Sequence, residues 1–331
     1  MNIAIAILNW NGLELLKTFL PSVVAHSDEA NIYIIDNQST DNSCAFVKQH
    51  FPDIHIIRND GNFGYSGGYN RGLQDLKEDI FILLNNDVEV TEGWLQPIHD
   101  MFVSEEKVAV VQPKIADYKN KSYFEYAGAA GGFIDKFGYP FCKGRIFDVL
   151  EEDLGQYDMN SPIFWASGAC LAIRRDVFYK AGKLDEHYFA HQEEIDLCWR
   201  VQNLGYTIMY AFESKVYHKG GSTLSAYNPQ KTFLNFRNSL FNLIKNAKFP
   251  LVLFLVLIRL VLDGLAGFKF LFSGKFKHVW AILRAHLSFY TNFFLILKLR
   301  PKEIRVKKYS KITSIVFSYF VLQKKKFSDL Q

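Results

Sequence analysis

Short apolar runs alternate with helically spaced segments over the first third of the chain. Residues 3–8 and 81–84 are uninterrupted apolar runs, and the apolar residues from 13 to 24 recur at helical spacing. Shorter runs rich in Ile follow at 31–36 and 54–58. Strands that alternate with helices in this way predict an α/β fold with a mostly parallel, Rossmann-like sheet.

The apolar runs end abruptly in polar residues. Asn9-Trp10-Asn11 follows the first run, the second ends in Asp36, and the run at 81–84 continues into Asn85-Asn86-Asp87. The carboxyl ends of strands in open α/β sheets build ligand sites, so these side chains are candidates for one site. An Asp after a strand is also common in a turn, and Asp87 alone does not decide between a metal ligand and a turn.

A Gly-rich segment, residues 59–72, follows the third predicted strand and leads into a helix. Glycine lets the backbone approach a ligand closely, and a helix start offers free N–H groups to phosphate. The segment lacks the GxGxxG order of dinucleotide sites and the GKS/GKT of a P-loop, so neither site is predicted. A plain flexible loop stays open as the alternative.

Charge divides the chain of 331 residues into two parts. From Lys231 onward there are 19 Lys/Arg against three acids, a net charge of +16, so the preceding part carries −12 of the overall +4. The basic part is also rich in Leu, Phe, Ile and Val, a pairing that indicates a membrane surface rather than nucleic acid. The four cysteines are far apart in the sequence and predict buried thiols in a reducing compartment. Residues 1–8 lack a basic region and predict a first strand, not a signal peptide.

Two apolar stretches dominate the basic part. Residues 249–262 are interrupted only by Arg259 and are shorter than the ~20 apolar residues of a membrane span. Residues 276–299 mix aromatic and aliphatic residues with lysines and an arginine, and Lys324-Lys325-Lys326 follows near the end. We expect helices that lie in the interface of an anionic membrane. Transmembrane spans and a helical core packed on the first part are the alternatives.

Three carboxylates, Glu193, Glu194 and Asp196, open a predicted amphipathic helix. Acids favour a helix N-terminus for dipole reasons alone, so the cluster has a structural explanation as well as a catalytic one. Trp165 offers apolar ring area that matches the C–H face of a sugar, and a core position is the alternative. His218 ends a predicted strand, where a histidine is more often structural than a ligand.

Four motifs resemble, in the expected order, those of family-2 glycosyltransferases, inverting enzymes with the GT-A fold. They are Asn9-Trp10-Asn11, Asp36-Asn37-x-Ser39-x-Asp41-x-Ser43, Asn62-x-Gly64-x-x-Gly67-Gly68-x-Asn70-x-Gly72 and Leu84-Asn85-Asn86-Asp87. The resemblance extends from residue 1 to about 224, and the rhamnosyltransferase-like and galactofuranosyltransferase-like branch is the most similar. It implies a catalytic domain over 1–230, with a nucleotide-sugar half over 1–115 and an acceptor half over 116–230. A helical, membrane-associating extension over 231–331 completes the division.

The resemblance also implies a site. Contacts to the nucleotide-diphosphate sugar donor fall on Asn9, Asn11, Asp36, Asn62, Gly64, Asn70, Asn85 and Asn86. Asp87 is the second acid of a DxD motif and would hold Mg²⁺ or Mn²⁺ on the diphosphate, with His218 as a further ligand. Asn85 replaces the first acid of that motif and leaves fewer charged ligands. By their chemistry, Lys219, Ser222 and Thr223 are candidate phosphate contacts as well.

In the same family a carboxylate on the later helix is the catalytic base. That position is Glu194, where Asp is usual, and Glu193 and Asp196 are lesser candidates. An inverting transfer needs one base, which removes the proton of the acceptor hydroxyl as its oxygen attacks the anomeric carbon. Gly168 and Ala169 lie in the family's small-residue strand near the sugar, and with Trp165 they are the implied acceptor contacts.

The sequence therefore predicts an inverting glycosyltransferase that acts at the cytoplasmic face of the inner membrane on a glycan or polyprenyl-linked acceptor in surface polysaccharide synthesis. Rhamnose from dTDP-rhamnose is the first guess for the donor. A nucleotidyltransferase is an alternative, but it needs a basic residue to cradle a triphosphate, and residues 9–12 contain none. The other alternative is a sugar-nucleotide-binding or scaffold protein without catalysis.

Overall fold

The computed structural model describes residues 1–220 and 228–330. Its strands are β1 Ile3–Asn9, β2 Ala30–Asp36, β3 His55–Arg58, β4 Ile80–Asn85, β5 Val88–Val90, β6 Val108–Asp117, β7 Gly132–Ile134, β8 Pro140–Cys142, β9 Arg145–Ile146, β10 Val149–Leu150, β11 Ser161–Pro162, β12 Cys170–Arg174 and β13 Thr207–His218. Its α-helices are α1 Leu13–Ala25, α2 Ser43–His50, α3 Gly64–Gly72, α4 Leu95–Ser104, α5 Arg175–Lys180, α6 Glu193–Asn203, α7 Pro229–Asn246, α8 Leu251–Phe272, α9 Phe276–Lys298 and α10 Ile315–Phe320. Short 3-10 helices cover Glu186–Tyr188 and Phe327–Leu330.

Nine strands form the main sheet. Eight of them lie in the order β11-β13-β6-β12-β4-β1-β2-β3, and β5 pairs with β13 off this path. The half formed by β4, β1, β2 and β3 is parallel throughout, whereas β12 runs antiparallel to both β4 and β6. The predicted α/β, Rossmann-like architecture is confirmed, with a mixed sheet in its second half.

The apolar runs become strands that are buried on both faces. In β1, Ile5 packs into the core on one face of the sheet and Ala4 into the core on the other. In β4, Ile82 packs into the same core as Ile5, and Phe81 packs into the same core as Ala4. Since side chains alternate along a strand, an uninterrupted apolar run fills both cores at once. This double burial explains why these strands lack the alternating pattern of a half-exposed strand.

Strand register brings the polar run ends to one edge of the sheet. Asn9 pairs with Asp36 across β1 and β2, and Leu8 pairs with Asn85 across β1 and β4. The short β5 runs antiparallel to the end of β13, which sets Val88 opposite His218. Residues separated by up to 209 positions in the chain therefore meet beside the carboxyl end of β4.

Residues 125–144 contain a β-ribbon, formed by β7 and β8, that belongs to a separate antiparallel sheet. Its order is β10-β9-β8-β7. Gly132 and Trp165 form a bridge between this small sheet and the segment that leads to β12. The ribbon therefore lies against the segment that carries the predicted acceptor residues.

Helices α7, α8 and α9 follow the catalytic part. Leu240 and Phe241 of α7 and Phe289 of α9 belong to the same buried core as Phe81 of β4. By length and composition alone, α8 and α9 are also the two helices in the described chain that could cross a membrane. All four cysteines are buried and unpaired, as predicted.

Candidate active site

Asn9 connects two other predicted donor-binding residues, Asp36 and Asn86, at the sheet edge. Its Nδ2 donates to Oδ1 of Asp36 at 3.1 Å and to Oγ of Ser43 at 3.0 Å, and its Oδ1 accepts from Nδ2 of Asn86 at 3.1 Å. Asn9 and Asp36 are buried, so the network is fixed before any ligand arrives. The structure thus brings Asn9, Asp36 and Asn86 together.

Asn11 holds the loop that follows β2. It has a left-handed backbone with φ of 50°, which Asn tolerates better than most residues. Its Oδ1 accepts from the backbone N–H of Thr40 at 2.8 Å, and its own N–H donates to Oγ of Ser39 at 2.8 Å. Asn11 therefore shapes the loop beside Asp36.

Asp87, His218 and Glu125 form the charged centre of the site. Oδ1 of Asp87 lies 3.0 Å from Nε2 of His218, and Oε2 of Glu125 lies 3.3 Å from Nδ1 on the other side of the ring. All three side chains are buried. Burial alone would lower the pKa of His218, but the charges of Glu125 and Asp87 outweigh it and raise that pKa to about 10. A single imidazolium thus lies between the two carboxylates and can balance only one of their charges.

A divalent cation fits this position only if a bound diphosphate supplies part of its coordination. Within residues 1–220 and 228–330, no three His, Cys, Asp or Glu side chains are grouped so as to hold a metal ion. Asp87 and His218 offer two donors, and the amide of Asn85 lies 3.5 Å from the same His218 nitrogen. The pair of carboxylates around His218 calls for a positive charge, which a cation would supply in place of the proton. Diphosphate oxygens and water would complete its coordination.

The Asn/Gly segment contacts the chain near the predicted base rather than open space. A Cβ on Gly64, whose φ is 66°, would lie 2.7 Å from the carbonyl oxygen of Phe189, so only glycine fits there. Asn62 accepts from the N–H of Gly64 at 3.0 Å. Asn70 is buried and exchanges two hydrogen bonds with the backbone of Leu184, at 2.8 and 3.1 Å. Asn70 therefore fastens α3 to the segment before α6, and a direct donor contact by its amide stays a prediction.

Glu193 and Glu194 begin α6 and lie in a poorly solvated place. Oε2 of each is buried without a hydrogen-bond partner in the described structure. Burial raises the pKa of Glu194 to about 7, and burial together with the charge of Glu194 raises the pKa of Glu193 well above its usual range. Glu193 is 4% exposed, whereas Glu194 is partly exposed. Glu194 thus has the pKa and the access that a general base needs near neutral pH.

Asp196, the third carboxylate, is committed to a buried ion-pair network. Its Oδ2 accepts from Nε of Arg200 at 2.8 Å and from Nζ of Lys245 at 2.9 Å, and its Oδ1 accepts from Nδ2 of Asn246 at 2.8 Å. Although burial opposes ionisation, Arg200 and Lys245 lower the pKa of Asp196 to about 2. A fully buried carboxylate with both oxygens occupied fastens α6 to α7, so the structure argues against Asp196 as a base.

The loop before Glu193 has an unusual backbone. Phe189, His191 and Gln192 have φ values of 64°, 67° and 70°, and none is glycine. Such conformations cost of order 1–3 kcal/mol each and persist only where the surroundings impose them. Strain directly before a pair of high-pKa carboxylates marks the loop as a functional segment.

Asparagines of α7 hold this loop. Nδ2 of Asn238 donates to the carbonyls of Ala190 and His191 at 3.0 and 2.7 Å, and Nδ2 of Asn242 donates to the carbonyl of Gln192 at 3.2 Å. The helix that follows residue 228 therefore positions the predicted base. Neither asparagine was predicted, although Asn recurs every three or four residues from 235 to 246 on this amphipathic helix, which was a signal for a shared face.

The predicted acceptor residues lie close to one another behind this loop. Trp165 is 3% exposed and donates from Nε1 to the carbonyl of Phe133 at 2.9 Å, which supports the core alternative for this ring. The carbonyl of Gly168 accepts from the hydroxyl of Tyr65 at 2.8 Å, and the carbonyl of Ala169 accepts from the N–H of Asn85 at 3.0 Å. Gly168 and Ala169 therefore adjoin the donor half through their backbone.

Two further observations complete the site. Glu125, which orients His218, was not predicted, because nothing in the local pattern of its ribbon distinguishes it from a surface carboxylate. The backbone N–H of Lys219 donates to the carbonyl of Asp87 at 3.0 Å and joins the two strand ends. Ser222 and Thr223 lie outside the described residues.

The chain is similar to known glycosyltransferases in sequence and in fold. The family model described as glycosyl transferase family 2 matches residues 4–182, which is more than half of the chain. An N-acetylglucosaminyl-diphospho-decaprenol L-rhamnosyltransferase of Mycobacterium tuberculosis is 27% identical over 225 residues, covering 63% of this chain and 73% of its own. A low-salt glycan biosynthesis hexosyltransferase of Haloferax volcanii is 27% identical over 206 residues, covering 61% of this chain and 62% of its own.

Solved structures share the fold at low identity. GalNAc-T7 with UDP, GalNAc and Mn²⁺ superposes with a TM-score of 0.60 at 16% identity, over 75% of this chain and 48% of that one. A mannosyltransferase of Pyrobaculum calidifontis in complex with GDP-Man and Mn²⁺ gives 0.53 at 11% identity, over 88% of this chain and 75% of that one. At these identities the likeness concerns the fold.

Proposed function

The chain belongs to glycosyl transferase family 2, and from that premise we propose that it transfers one sugar, with inversion, from a nucleotide-diphosphate donor to a lipid-linked glycan. Rhamnose is the proposed sugar, since a relative at 27% identity is named as a rhamnosyltransferase. That relative's name also specifies a diphospho-decaprenol acceptor, which is the source of the acceptor class proposed here. Synthesis of a surface polysaccharide is the corresponding role.

One observation carries the proposal. The Asp87–His218 pair lies at the carboxyl edge of the sheet, 3.0 Å apart, beside the Asn9–Asp36 network. In this arrangement Asp36 and Asn9 would receive the nucleoside, and Asp87 and His218 would hold a divalent cation on the diphosphate. Bound there, Mg²⁺ or Mn²⁺ would supply charge neutralisation for the nucleoside diphosphate as it leaves.

Glu194 is the proposed base. Inversion requires a single group that takes the acceptor proton as the acceptor oxygen attacks the anomeric carbon opposite the diphosphate. A carboxylate with a pKa of about 7 is basic enough to accept that proton and is still ionised in much of the population at neutral pH. Glu193 is the neighbouring residue at the start of α6, but it is more deeply buried, so we do not assign it the role of base.

The C-terminal helices are proposed to bring this site to the membrane without crossing it. Their inner faces are occupied, since Arg259 of α8 donates to Asp263 and to Oγ of Ser239 in α7, and Asp263 is 3.0 Å from His286 of α9. Their outer faces are apolar and exposed, with Phe254 and Leu287 61% and 64% exposed. Helices fixed to the catalytic part on one side suit a monotopic attachment at the cytoplasmic face.

The direct test is a transfer assay on purified full-length protein in phospholipid vesicles. dTDP-rhamnose, UDP-sugars and GDP-sugars are supplied in parallel with a polyprenyl-diphosphate-linked N-acetylglucosamine acceptor and Mn²⁺ or Mg²⁺. The expected product carries one added rhamnose with the anomeric configuration opposite to that of the donor. Retention of configuration would refute the mechanism, and preference for another donor would refute rhamnose alone.

Two controls separate the alternatives. EDTA should abolish transfer if the cation on Asp87 is required. Glu194→Gln should bind the nucleotide sugar but not transfer it, whereas a scaffold protein would show no transfer with the wild type either. Release of inorganic diphosphate from a nucleoside triphosphate would instead indicate a nucleotidyltransferase.

A further inference from the structure

A groove runs between the start of α7 and the start of α9, outside the site described above. Its volume is about 450 Å³, and its lining consists of Asn228, Pro229, Gln230, Phe276, Lys277, Trp280, Ala281 and Arg284. Two of these residues are cationic, and none is acidic. Neither cation forms an ion pair with any described residue. The groove therefore combines uncompensated positive charge with aromatic surface.

The two cations share one side of α9. Lys277 and Arg284 are seven residues apart, which places them about 10 Å apart along the helix axis on the same face. Both are exposed, and the guanidinium of Arg284 lies 5.0 Å from the ring centroid of Phe233 in α7. Long flexible side chains at that separation can converge on one compact anion with several oxygens.

The groove opens onto the apolar outer face of α9. Trp280 is 63% exposed, and Leu283, Leu287 and Phe294 continue the stripe along the helix at 57%, 64% and 74%. An exposed apolar stripe of this length indicates contact with lipid or with another apolar partner. An anion bound at Lys277 and Arg284 would therefore have lipid-compatible surface directly beside it.

The other end of the groove leads to the catalytic loop. Phe233 packs in one cluster with Ala281 and with Ala190 of the strained loop before Glu193. Lys231, which follows the groove residue Gln230, lies 5.5 Å from the ring centroid of Tyr126, the neighbour of Glu125. Phe233 thus connects the side of α9 that carries Arg284 to the loop before Glu193, and Lys231 connects the start of α7 to the neighbour of Glu125.

We propose that this groove binds the diphosphate of a polyprenyl-diphosphate-linked acceptor, with the polyprenyl chain on the apolar stripe of α9. Such an acceptor consists of a lipid chain, a diphosphate and a sugar in that order, and these correspond to the apolar stripe of α9, the two cations and the direction of the loop before Glu193. The proposal rests on the lipid-linked acceptor of the proposed function and adds the place where it is held. An anionic phospholipid head group is the competing source of the same charge.

The test measures binding and needs no catalysis. Full-length protein is sedimented with phosphatidylcholine vesicles that contain either a few per cent undecaprenyl diphosphate or phosphatidylglycerol at equal total charge. The test variant is Lys277→Gln with Arg284→Gln, which keeps much of each side-chain stem. The control variant is Lys298→Gln with Lys302→Gln, which removes the same charge at the opposite end of α9.

For the wild type we expect tighter binding to the undecaprenyl diphosphate vesicles than to the phosphatidylglycerol vesicles. The test variant should lose that preference, by about tenfold if two charge-assisted contacts are removed, and the control variant should keep it. Equal binding of the wild type to both vesicles, or loss of the preference in both variants, would overturn the proposal in favour of a general anionic-lipid surface.

A kinetic arm separates this proposal from the proposed function. The test variant should show a raised KM for the polyprenyl-diphosphate acceptor and an unchanged KM for a water-soluble glycoside that lacks the diphosphate. An equal effect on both acceptors would overturn the assignment of the groove. If the wild type transfers no sugar at all, the proposed function fails while the vesicle result still decides the groove.

Discussion

The sharpest test of the site is the replacement of Glu194 by Gln, because its effects on activity and on stability have opposite signs. Burial raises the pKa of this carboxyl from 4.5 to about 7, so the folded protein binds the proton more tightly than the unfolded chain does. A raised carboxyl pKa contributes stability below pH 4.5, and that contribution is lost as the pH rises through 7. At 1.36 kcal/mol per pKa unit the loss is about 3 kcal/mol.

Gln cannot ionise, so the variant does not lose this stability as the pH rises. Relative to the wild type, the free energy of unfolding of Glu194→Gln should rise by about 3 kcal/mol between about pH 4.5 and about pH 8. Denaturant unfolding at a series of pH values, without nucleotide or metal, measures this difference. A difference that does not change with pH would refute the raised pKa.

Activity should change in the opposite direction. For the wild type, kcat/KM should increase with pH and level off above about 7, because only the ionised carboxylate accepts the acceptor proton. Glu194→Gln should lower the rate by roughly 10²–10⁴-fold, the usual contribution of general base catalysis. A wild-type profile that is flat from about pH 5.5 to about pH 8, or a variant that retains most of its rate, would refute Glu194 as the base.

Glu193→Gln is the matched control. Burial and the charge of Glu194 raise the pKa of its carboxyl well above the usual range, which favours the neutral form, and Gln matches that form in shape and in charge. We expect this variant to keep most of the transfer rate. Loss of activity in Glu193→Gln together with full activity in Glu194→Gln would exchange the two roles.

Three other predictions address the proposed cation position, the loop before the base and the ion pair within α8. Asp87→Asn should abolish the rise in melting temperature that dTDP gives with Mn²⁺, since a ligand stabilises only a protein that binds it; an undiminished rise would contradict the metal assignment. Asn238→Ala removes the donor to the carbonyl of His191 and should cost about 1–3 kcal/mol of stability, which thermal melting measures. In steady-state kinetics, kcat should fall by a larger factor than the factor by which KM changes. Arg259→Leu leaves the buried Asp263 without its arginine partner and should cost about 3–5 kcal/mol in denaturant unfolding, and Arg259→Leu with Asp263→Leu should recover much of that loss.

The strands and their polar ends were predictable because their signals are local. An apolar run that fills both faces of a buried strand must stop where the sheet meets solvent, which is why Asp36 and Asn85 could be assigned to one edge. His218 is different, since its distance from Asp87 is set by the antiparallel pairing of β13 with β5. Only the resemblance to a family, and no property of the local sequence, associated these two residues in advance.

The carboxylates of α6 mark the limit of reasoning from sequence. Glu194 and Asp196 are two positions apart and chemically similar, yet one has a raised pKa and the other a pKa of about 2. The pKa of Asp196 is lowered first by Arg200, four positions further along α6, and then by Lys245 of α7, whose ammonium lies 2.9 Å from that carboxylate. The spacing of Asp196 and Arg200 is visible in the sequence, but Lys245 is 49 positions away from Asp196, so spacing alone shows only part of the compensation.

The change in charge near Lys231 suggested a boundary between a catalytic domain and a membrane extension, but the packing couples the two. Without α7, Asp196 would lose Lys245, the strained loop would lose Asn238, and buried polar groups next to the proposed base would be left unpaired. Phe289 of α9 lies in the same core as the sheet. The helices that are proposed to meet the membrane on one side therefore fix the loop before Glu193 on the other. Since both faces belong to the same packed layer, docking on a membrane would hold the base at a constant depth relative to a lipid-linked acceptor.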